Sequence, residues 1–250
     1  MKSLSPFFAS AVDIIIPFHG QYLHVQKCLD SIYRHTNTNP FRIILVDDAS
    51  PCKEFLVEVQ KQCPAVGVRL DQRAGFAGAL LAGYMESTCP WVVFMHSDVE
   101  VVTMDWLLQL GESLVRRKAD NCRMALAMSD NPGVDNKFLR PRPGPGDYSD
   151  IVALDEPLPL YCAMFHRELF PRIGGFLQQY PYAGYEDTEL FYRMKSRGYK
   201  QLVCGKSWVR HVGGVTIDAV CHADPQAREE MEKNKDRCIA DLKRLAPSGR

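Results

Sequence analysis

The chain has 250 residues, which is enough for one large domain or two small ones with a buried core. Its 30 basic and 30 acidic residues balance, so the sequence predicts no general attraction to nucleic acid or to an anionic membrane. Any anionic ligand must therefore be held by a local site.

Nine cysteines are dispersed singly through the sequence, with no Cys-x-x-Cys pair. This pattern differs from the disulfide framework of small secreted domains and indicates reduced core cysteines in a cytoplasmic protein. The apolar stretch before Ala9 is too short for a signal peptide, and the longest apolar runs fall well below the roughly twenty residues of a membrane span. We expect no membrane span, a result that still allows peripheral contact with a membrane.

Short β-branched runs alternate with amphipathic stretches through the first half of the chain. The patterns predict strands at 12–16, 43–46, 66–70 and 91–95, and helices over 22–32, after Pro51, over 75–86 and around 104–115. Such alternation is typical of an open, mostly parallel sheet with helices on both faces. Ligands bind these sheets beyond the carboxyl ends of the strands, where Pro17, Asp48 and Asp98 are expected.

The second half of the chain is less regular. Strands are predicted at 124–128, 158–165 and 200–204, and helices at 186–197 and 225–245. Between them, residues 129–157 form a long segment rich in proline and glycine, and a loop of that length is usually functional or mobile. The charged final helix would pack on the body of the protein or mediate a homodimer.

Asp98 and His211 are candidate metal ligands. Asp98 closely follows the apolar run Trp91–Met95, so its carboxylate would project from the carboxyl edge of the sheet, where a cation bridging a diphosphate needs few protein ligands. His211 precedes Gly213 and Gly214, and an imidazole with a carboxylate makes a mixed site for manganese or magnesium. A turn aspartate and a structural histidine are the alternatives.

Glu186 and Asp187 open a predicted helix and form the second candidate pair. Helix capping is one account of two acids in a first helical turn. In the other, one carboxylate acts as a general base toward an attacking hydroxyl while its neighbour orients substrate hydroxyls. Because a helix N-terminus lowers the pKa of a carboxylate, we expect this base to stay ionised.

Asp48 and Arg73 each allow two interpretations. Asp48 ends the second strand and is followed by helix-start residues, yet a carboxylate there can accept a hydrogen bond from a nucleobase. Arg73 is either an ordinary solvated arginine or a partner of a base or phosphate.

Taken in order, these segments resemble the inverting family 2 glycosyltransferases with the GT-A fold. The matching stretches are VDIIIPFH (12–19), CLDSI (28–32), ILVDDAS (44–50), AGFAGA (74–79), HSD (96–98), GYEDTEL (184–190) and RHVGG (210–214). The resemblance implies a glycosyltransferase domain over 1–224, with a nucleotide-binding half over about 12–118 and an acceptor and catalytic half over about 119–224. A C-terminal charged amphipathic helix (225–250) follows, and the segment 129–157 is expected on the acceptor side.

The resemblance also implies a function and a role for each candidate residue. The donor would be a UDP- or dTDP-sugar, the acceptor a hydroxyl of a glycan or lipid-linked glycan, and the setting polysaccharide biosynthesis. By this resemblance, Pro17, Phe18 and His19 would line the nucleoside, and Asp48 and Arg73 would contact the base or a phosphate. His96, Ser97 and Asp98 stand at the position of the family's Asp-x-Asp motif, and Asp98 and His211 would be the ligands of Mn²⁺ or Mg²⁺. Asp187 would be the base, and Glu186 would bind hydroxyls. His96 stands where the family has the first acid of that motif.

Two other functions stay open at this level. A nucleotide-sugar-binding module without turnover is suggested by the missing first acid of the Asp-x-Asp motif. A nucleotidyltransferase shares the fold type and the metal chemistry, but residues 17–20 offer no glycine-rich phosphate loop after the first strand.

Overall fold

The computed structural model describes residues 7, 10–131, 136–139, 144–175 and 180–245. The strands are β1 (Val12–Phe18), β2 (Phe41–Asp47), β3 (Ala65–Arg69), β4 (Trp91–Met95), β5 (Val99–Val101), β6 (Cys122–Ser129), β7 (Ile151–Ala153), β8 (Cys162–His166) and β9 (Lys200–His211). The helices are α1 (Tyr22–His35), α2 (Glu54–Gln62), α3 (Gly75–Glu86), α4 (Trp106–Arg116), α5 (Leu169–Ile173), α6 (Glu186–Ser196), α7 (Val215–Ala223) and α8 (Pro225–Leu245).

All the strands belong to one sheet with the order β3-β2-β1-β4-β8-β6-β9-β5, and β7 pairs with the first part of β9. The first four strands pair in parallel, whereas β8 lies antiparallel between β4 and β6. Because β9 is parallel to β6, and β5 and β7 are antiparallel to β9, only β5, β7 and β8 oppose the common direction. The predicted α/β fold with a mostly parallel central sheet is confirmed.

The centre of the sheet is covered on both faces. Every residue of β1 is buried, and successive side chains of a strand point to opposite faces, so helices must shield both sides. The same sheet runs through the boundary proposed near residue 118, because β8 from the second half pairs with β4 from the first. The two halves therefore share one sheet, and their division by role stays a prediction.

Helix α3 lies unusually close to the sheet, as its small residues predict. A Cβ placed on Gly83 would overlap the Cγ2 of Ile15 and lie 2.9 Å from the Cγ2 of Val46. Only a glycine leaves room for this approach of helix to strands β1 and β2. This packing fixes the start of α3 at the carboxyl edge of the sheet.

The second half of the chain departs from the predicted boundaries. The strand predicted at 158–165 begins only at Cys162, and the one predicted at 200–204 continues to His211 through an irregularity between Cys204 and Trp208. Strands β5 and β7 and helices α5 and α7 were not predicted, because three-residue strands and short helices carry no periodic pattern. Within 129–157, β7 pairs with β9 and Lys137–Leu139 form a 3₁₀ turn, whereas 132–135 and 140–143 lie outside the described residues.

The C-terminal helix packs on its own domain, against α6 and α7. The side-chain amide of Asn234 donates to the carbonyls of Pro181 and Ala183, both at 3.0 Å, and the Tyr180 hydroxyl donates to Asp241 at 3.0 Å. Helix α8 thereby holds the segment that leads into α6. A homodimer contact through this helix stays a prediction, and 246–250 lie outside the described residues.

Two further expectations concern the membrane and the cysteines. Among the residues that the structure describes, no helix combines the length and the apolar character needed to cross a membrane.

All nine cysteines are free, and five of them are buried. The prediction that cysteines serve as small core residues therefore holds for those five.

We predict that Gly83→Ala destabilises the fold by about 1–3 kcal/mol, because the added methyl group overlaps Ile15. In an uncrowded helix interior the same change stabilises by roughly 0.5–1 kcal/mol, so the sign is diagnostic. Urea unfolding measures the difference, with the exposed Met85→Ala on the same helix as a control within about 0.5 kcal/mol of the parent protein. A gain in stability for Gly83→Ala would contradict the close packing of α3.

Candidate functional site

One cavity of about 530 Å³ opens at the carboxyl edge of the sheet. All eleven residues singled out from the sequence line it: Pro17, Phe18, His19, Asp48, Arg73, His96, Ser97, Asp98, Glu186, Asp187 and His211. They come from the ends of strands β1, β2, β4 and β9, from the loop before α3 (Arg73) and from the start of α6. The fold thus brings the candidates into one place, as the rule for open α/β sheets predicts.

Asp48 fixes the loop that begins helix α3. Its carboxylate accepts hydrogen bonds from the backbone N–H groups of Ala74 at 2.6 Å and Gly75 at 3.1 Å. Burial raises the pKa of Asp48, while these hydrogen bonds act in the opposite direction. A carboxylate has about four acceptor sites, so contact with a nucleobase remains compatible with this structural role.

Gly75 allows the same loop to pass close to Tyr182. Its φ of 72° lies in the left-handed region, and a Cβ there would be 2.7 Å from the Tyr182 carbonyl. The exposed Arg73 guanidinium lies 5.0 Å from the centre of the Tyr182 ring, whose hydroxyl donates to Asp224 at 2.6 Å. A cation–π contact with Tyr182 thus orients the exposed Arg73 side chain.

His19 and Phe18 form the wall of the cavity beyond β1. The His19 Nδ1–H donates to the backbone carbonyl of Asp48 at 2.8 Å, an arrangement that leaves Nε2 as an acceptor. The Phe18 ring packs edge-on against Phe55 at 5.6 Å. This wall offers an aromatic surface with a hydrogen-bond acceptor beside it.

His96, Asp98 and His211 form a compact cluster of potential metal ligands. His96 Nδ1 lies 3.2 Å from His211 Nε2, and Asp98 Oδ1 lies 3.4 Å from His211 Nε2 and 3.9 Å from His96 Nδ1. Ligand atoms about 2.1 Å from a common ion are separated by about 3.0–3.4 Å, which matches two of these distances, and the third is longer by about 0.5 Å. Two imidazoles and a carboxylate are also a suitable donor set for a divalent transition metal, so the residues present fit a metal ion.

Backbone pairing holds this cluster together. Strand β5 pairs Val99 with His211, immediately after Asp98. The backbone N–H of Gly213 donates to Asp98 Oδ2 at 3.0 Å, and that of Val212 donates to the Asp98 carbonyl at 3.1 Å. The Asp98 carboxylate is thus turned so that Oδ1 faces the two histidines.

The orientation of His211 is fixed by groups outside the cluster. Its Nδ1–H donates to the carbonyl of Asn131 at 3.0 Å, and its ring stacks on Tyr161 at 5.1 Å. This hydrogen bond assigns the tautomer in which Nε2 carries a lone pair toward Asp98 and His96. A metal-binding histidine commonly donates its other N–H to a carbonyl in this way.

The cluster keeps its ligands in the protonation states that a cation requires. Burial favours a higher pKa for Asp98, but the facing imidazoles of His211 and His96 outweigh it and bring the pKa to about 2. Desolvation, reinforced by His211 and opposed by Asp98, lowers the pKa of His96 to about 4. At neutral pH the site therefore presents an ionised carboxylate and a neutral His96 imidazole.

Glu186 and Asp187 begin α6, where the prediction of a lowered pKa is wrong. Burial and then the Asp187 charge raise the pKa of Glu186 to about 8, and its buried Oε2 has no hydrogen-bond partner among the described residues. Burial also raises the pKa of Asp187, against hydrogen bonds from the Thr188 N–H at 2.6 Å and hydroxyl at 3.2 Å. A helix dipole typically stabilises a charge by about 1 kcal/mol or less, which is under about one pKa unit, whereas desolvation shifts a pKa by up to about 3–5 units. Desolvation therefore outweighs the helix dipole at these two acids.

Several cavity residues carried no usable sequence signal. Phe76 packs edge-on against His96 at 4.7 Å, and Asn131 supplies the carbonyl for His211. Other cavity-lining residues belong to α7 and α8, among them Ile217, Val220 and Met231. Their place depends on how the chain packs after His211, which no local pattern reveals. Tyr182, which supports Arg73, lies in an equally irregular stretch.

No curated protein sequence matches the chain. The structure of GalNAc-T7 with UDP, GalNAc and Mn²⁺ is similar at a TM-score of 0.66 and 15% identity, covering 83% of this chain and 44% of that one. The mannosyltransferase PcManGT from Pyrobaculum calidifontis, in complex with GDP-Man and Mn²⁺, gives 0.62 and 19%, covering 80% and 56%. Residues 1–349 of S. aureus TarS give 0.59 and 14%, covering 94% and 71%.

At these identities the solved structures establish a shared fold, and the chain spans about half the length of the first two. The fold is that of the GT-A glycosyltransferases. The sequence model of glycosyl transferase family 2 matches residues 13–174, well over half of the chain and most of the cavity's strands. The chain therefore belongs to glycosyl transferase family 2.

Proposed function

We propose that the protein is a metal-dependent, inverting glycosyltransferase. It moves a sugar from a UDP- or dTDP-linked donor to a hydroxyl of a glycan or lipid-linked glycan, a step of polysaccharide biosynthesis. The observation that carries the proposal is that one cavity holds both a set of potential divalent-cation ligands and a pair of adjacent acids, of which Glu186 is buried and Asp187 half-buried. The GalNAc-T7 and PcManGT structures, which hold UDP and GDP-Man respectively, each with Mn²⁺, support a nucleotide-sugar donor. The nine free cysteines favour a cytoplasmic location.

The nucleotide is assigned to the wall beyond β1 and β2. Phe18 and Pro17 provide an apolar surface for the nucleoside, and His19 Nε2 and the Asp48 carboxylate provide acceptors for the N–H of a base. Arg73, fixed against Tyr182, supplies positive charge at the same end of the cavity. These contacts suit a uracil or thymine nucleotide, whose imide N–H needs an acceptor.

Asp98 and His211 are assigned to the metal, and Ser97 lines the cavity beside them. A bound divalent cation would offset the charge on the leaving diphosphate. The protein contributes the orientation of its ligands through Gly213, Val212 and the Asn131 carbonyl.

Asp187 is assigned as the base, and Glu186 as a hydroxyl-binding acid. Hydrogen bonds from Thr188 favour the charged form of Asp187, whereas Glu186 keeps its proton near neutral pH. Asp187 takes the proton of the acceptor hydroxyl as that oxygen attacks the anomeric carbon and the bond to the diphosphate breaks. In-line attack of this kind inverts the configuration of the sugar.

Turnover can be separated from binding by following nucleoside diphosphate. We expect that one nucleotide sugar, with Mn²⁺, raises the melting temperature clearly above the others, because a ligand that binds only the folded state stabilises it. With a mixture of glycan acceptors, that donor should release free nucleoside diphosphate. Tight binding without release would contradict the enzyme assignment and favour a binding module.

We predict that Asp187→Asn lowers the transfer rate by about 10²–10⁴-fold, because the acceptor hydroxyl then has no base. Donor and Mn²⁺ binding should be preserved, since Asp187 is not assigned to either. Initial rates and calorimetric titrations measure the two properties, with the exposed Glu58→Gln as a control that leaves both unchanged. Full transfer by a folded Asp187→Asn protein would overturn the base assignment.

We predict that Glu186→Gln removes an alkaline decline in transfer. In the parent protein, Glu186 ionises as the pH rises through about 8, which places a second negative charge beside Asp187 and removes a hydrogen-bond donor. The variant stays neutral, so its profile of kcat/KM should remain level where that of the parent falls.

The same shift affects stability. A folded pKa near 8 against an ordinary value of 4.5 means that Glu186 costs stability progressively between those two pH values. Thermal unfolding of Glu186→Gln should therefore lose less stability than the parent as the pH rises through this range. If the variant and the parent protein show the same pH dependence, both in kcat/KM and in thermal unfolding, the raised pKa of Glu186 is contradicted.

A further inference from the structure

His96 lies two residues before Asp98 and lines the cavity beside the two residues assigned to the metal. Its Nδ1 faces the same point as His211 Nε2 and Asp98 Oδ1, at 3.2 and 3.9 Å from them. The three atoms therefore surround one small volume, and two of them are imidazole nitrogens.

The His96 ring is held in this orientation by its surroundings. Phe76 packs edge-on against it at 4.7 Å, and the His211 ring lies 5.1 Å away at a steep angle. The backbone N–H of His96 donates to the Tyr161 carbonyl at 2.9 Å, anchoring the residue beside strand β8. Without an ion, His96 Nδ1–H can donate to His211 Nε2; with an ion, both nitrogens can direct lone pairs at it.

We propose that His96 is a third protein ligand of the metal and that the His96–Asp98–His211 set selects Mn²⁺ over Mg²⁺. This inference rests on the metal-binding role proposed above for Asp98 and His211. Mg²⁺ prefers an all-oxygen shell and gains little from imidazole, whereas imidazole nitrogen suits first-row transition metals. Exchange of one carboxylate for an imidazole also reduces the ligand charge from −2 to −1, which weakens the attraction that a hard ion depends on.

Metal binding to the whole chain, measured without any sugar transfer, tests the proposal. Loss of the electron paramagnetic resonance signal of free Mn²⁺ gives the affinity of the protein for Mn²⁺. Competition by Mg²⁺ then gives the ratio of the Mn²⁺ and Mg²⁺ affinities. We expect the parent protein to prefer Mn²⁺ by at least about tenfold, from the nitrogen donors. The ligand-field absorption of bound Co²⁺ reports directly on how many nitrogens surround the ion.

Two substitutions at His96 give opposite signatures. His96→Asp should raise Mg²⁺ affinity, reduce the Mn²⁺-to-Mg²⁺ preference by about tenfold and shift the Co²⁺ spectrum, because an oxygen replaces a nitrogen. His96→Ala should weaken Mn²⁺ binding by about tenfold or more. His24→Asp, at a histidine outside the cavity, is the matched control and should leave affinity, preference and spectrum unchanged. If His96→Ala does not fold, the Asp variant alone decides.

The outcomes separate this inference from the proposed function. If Asp98→Asn abolishes Mn²⁺ binding while His96→Asp keeps the parent preference and Co²⁺ spectrum, His96 is not a ligand and the metal-dependent function stands. If the parent protein binds neither ion, even with a nucleoside diphosphate present, the proposed metal-dependent function fails as well. His96 is supported as a third ligand if the Mn²⁺-to-Mg²⁺ preference and the Co²⁺ spectrum change in His96→Asp and stay unchanged in His24→Asp.

Discussion

The pairing between the end of β9 and the turn after β4 is the constraint on which the cavity depends. It joins residues more than a hundred positions apart: Val99 pairs with His211, and the Gly213 N–H binds the Asp98 carboxylate. The pairing adds β5 as the edge strand of the sheet, and the chain continues from β9 into α7, which lines the cavity. Without it, Asp98 and His211 would be two unrelated polar residues. The cluster of potential metal ligands is therefore a product of sheet topology rather than of any single loop.

The two groups of acids in the cavity differ because of their immediate neighbours. Asp98 and Glu186 are similarly buried, yet the pKa of one falls to about 2 while that of the other rises to about 8. Asp98 faces two imidazoles and a backbone N–H, whereas Glu186 faces a second carboxylate and leaves one oxygen unpaired. Opposed pKa shifts within one site separate a group that holds a cation from one that holds a proton. Burial alone would have raised both pKa values, so the fall at Asp98 comes from its neighbours.

The sequence was sufficient where structure follows from local pattern. The first four strands and the start of α3 follow from β-branched runs and small residues, and the edge rule for parallel sheets then places Asp48 and Asp98 correctly. It was insufficient where structure follows from distant partners. β7 is a strand only because β9 lies beside it, and Asn131 supports His211 only because the sheet brings them together. The raised pKa of Glu186 was missed for the same reason, since desolvation depends on the whole cavity.

Under the proposed assignment, an imidazole nitrogen rather than a second carboxylate changes how protein and diphosphate share the cation. With Asp98 as its single anionic member, the cluster neutralises less of the charge of a divalent cation than two carboxylates would. More of that charge then remains for the phosphate oxygens, so metal and nucleotide should depend on each other more strongly than in a site with two acids. This coupling suits a donor site, because the released nucleoside diphosphate carries the extra charge that holds the ion. His96 is thus better understood as a change in how the cation is shared than as the loss of a ligand.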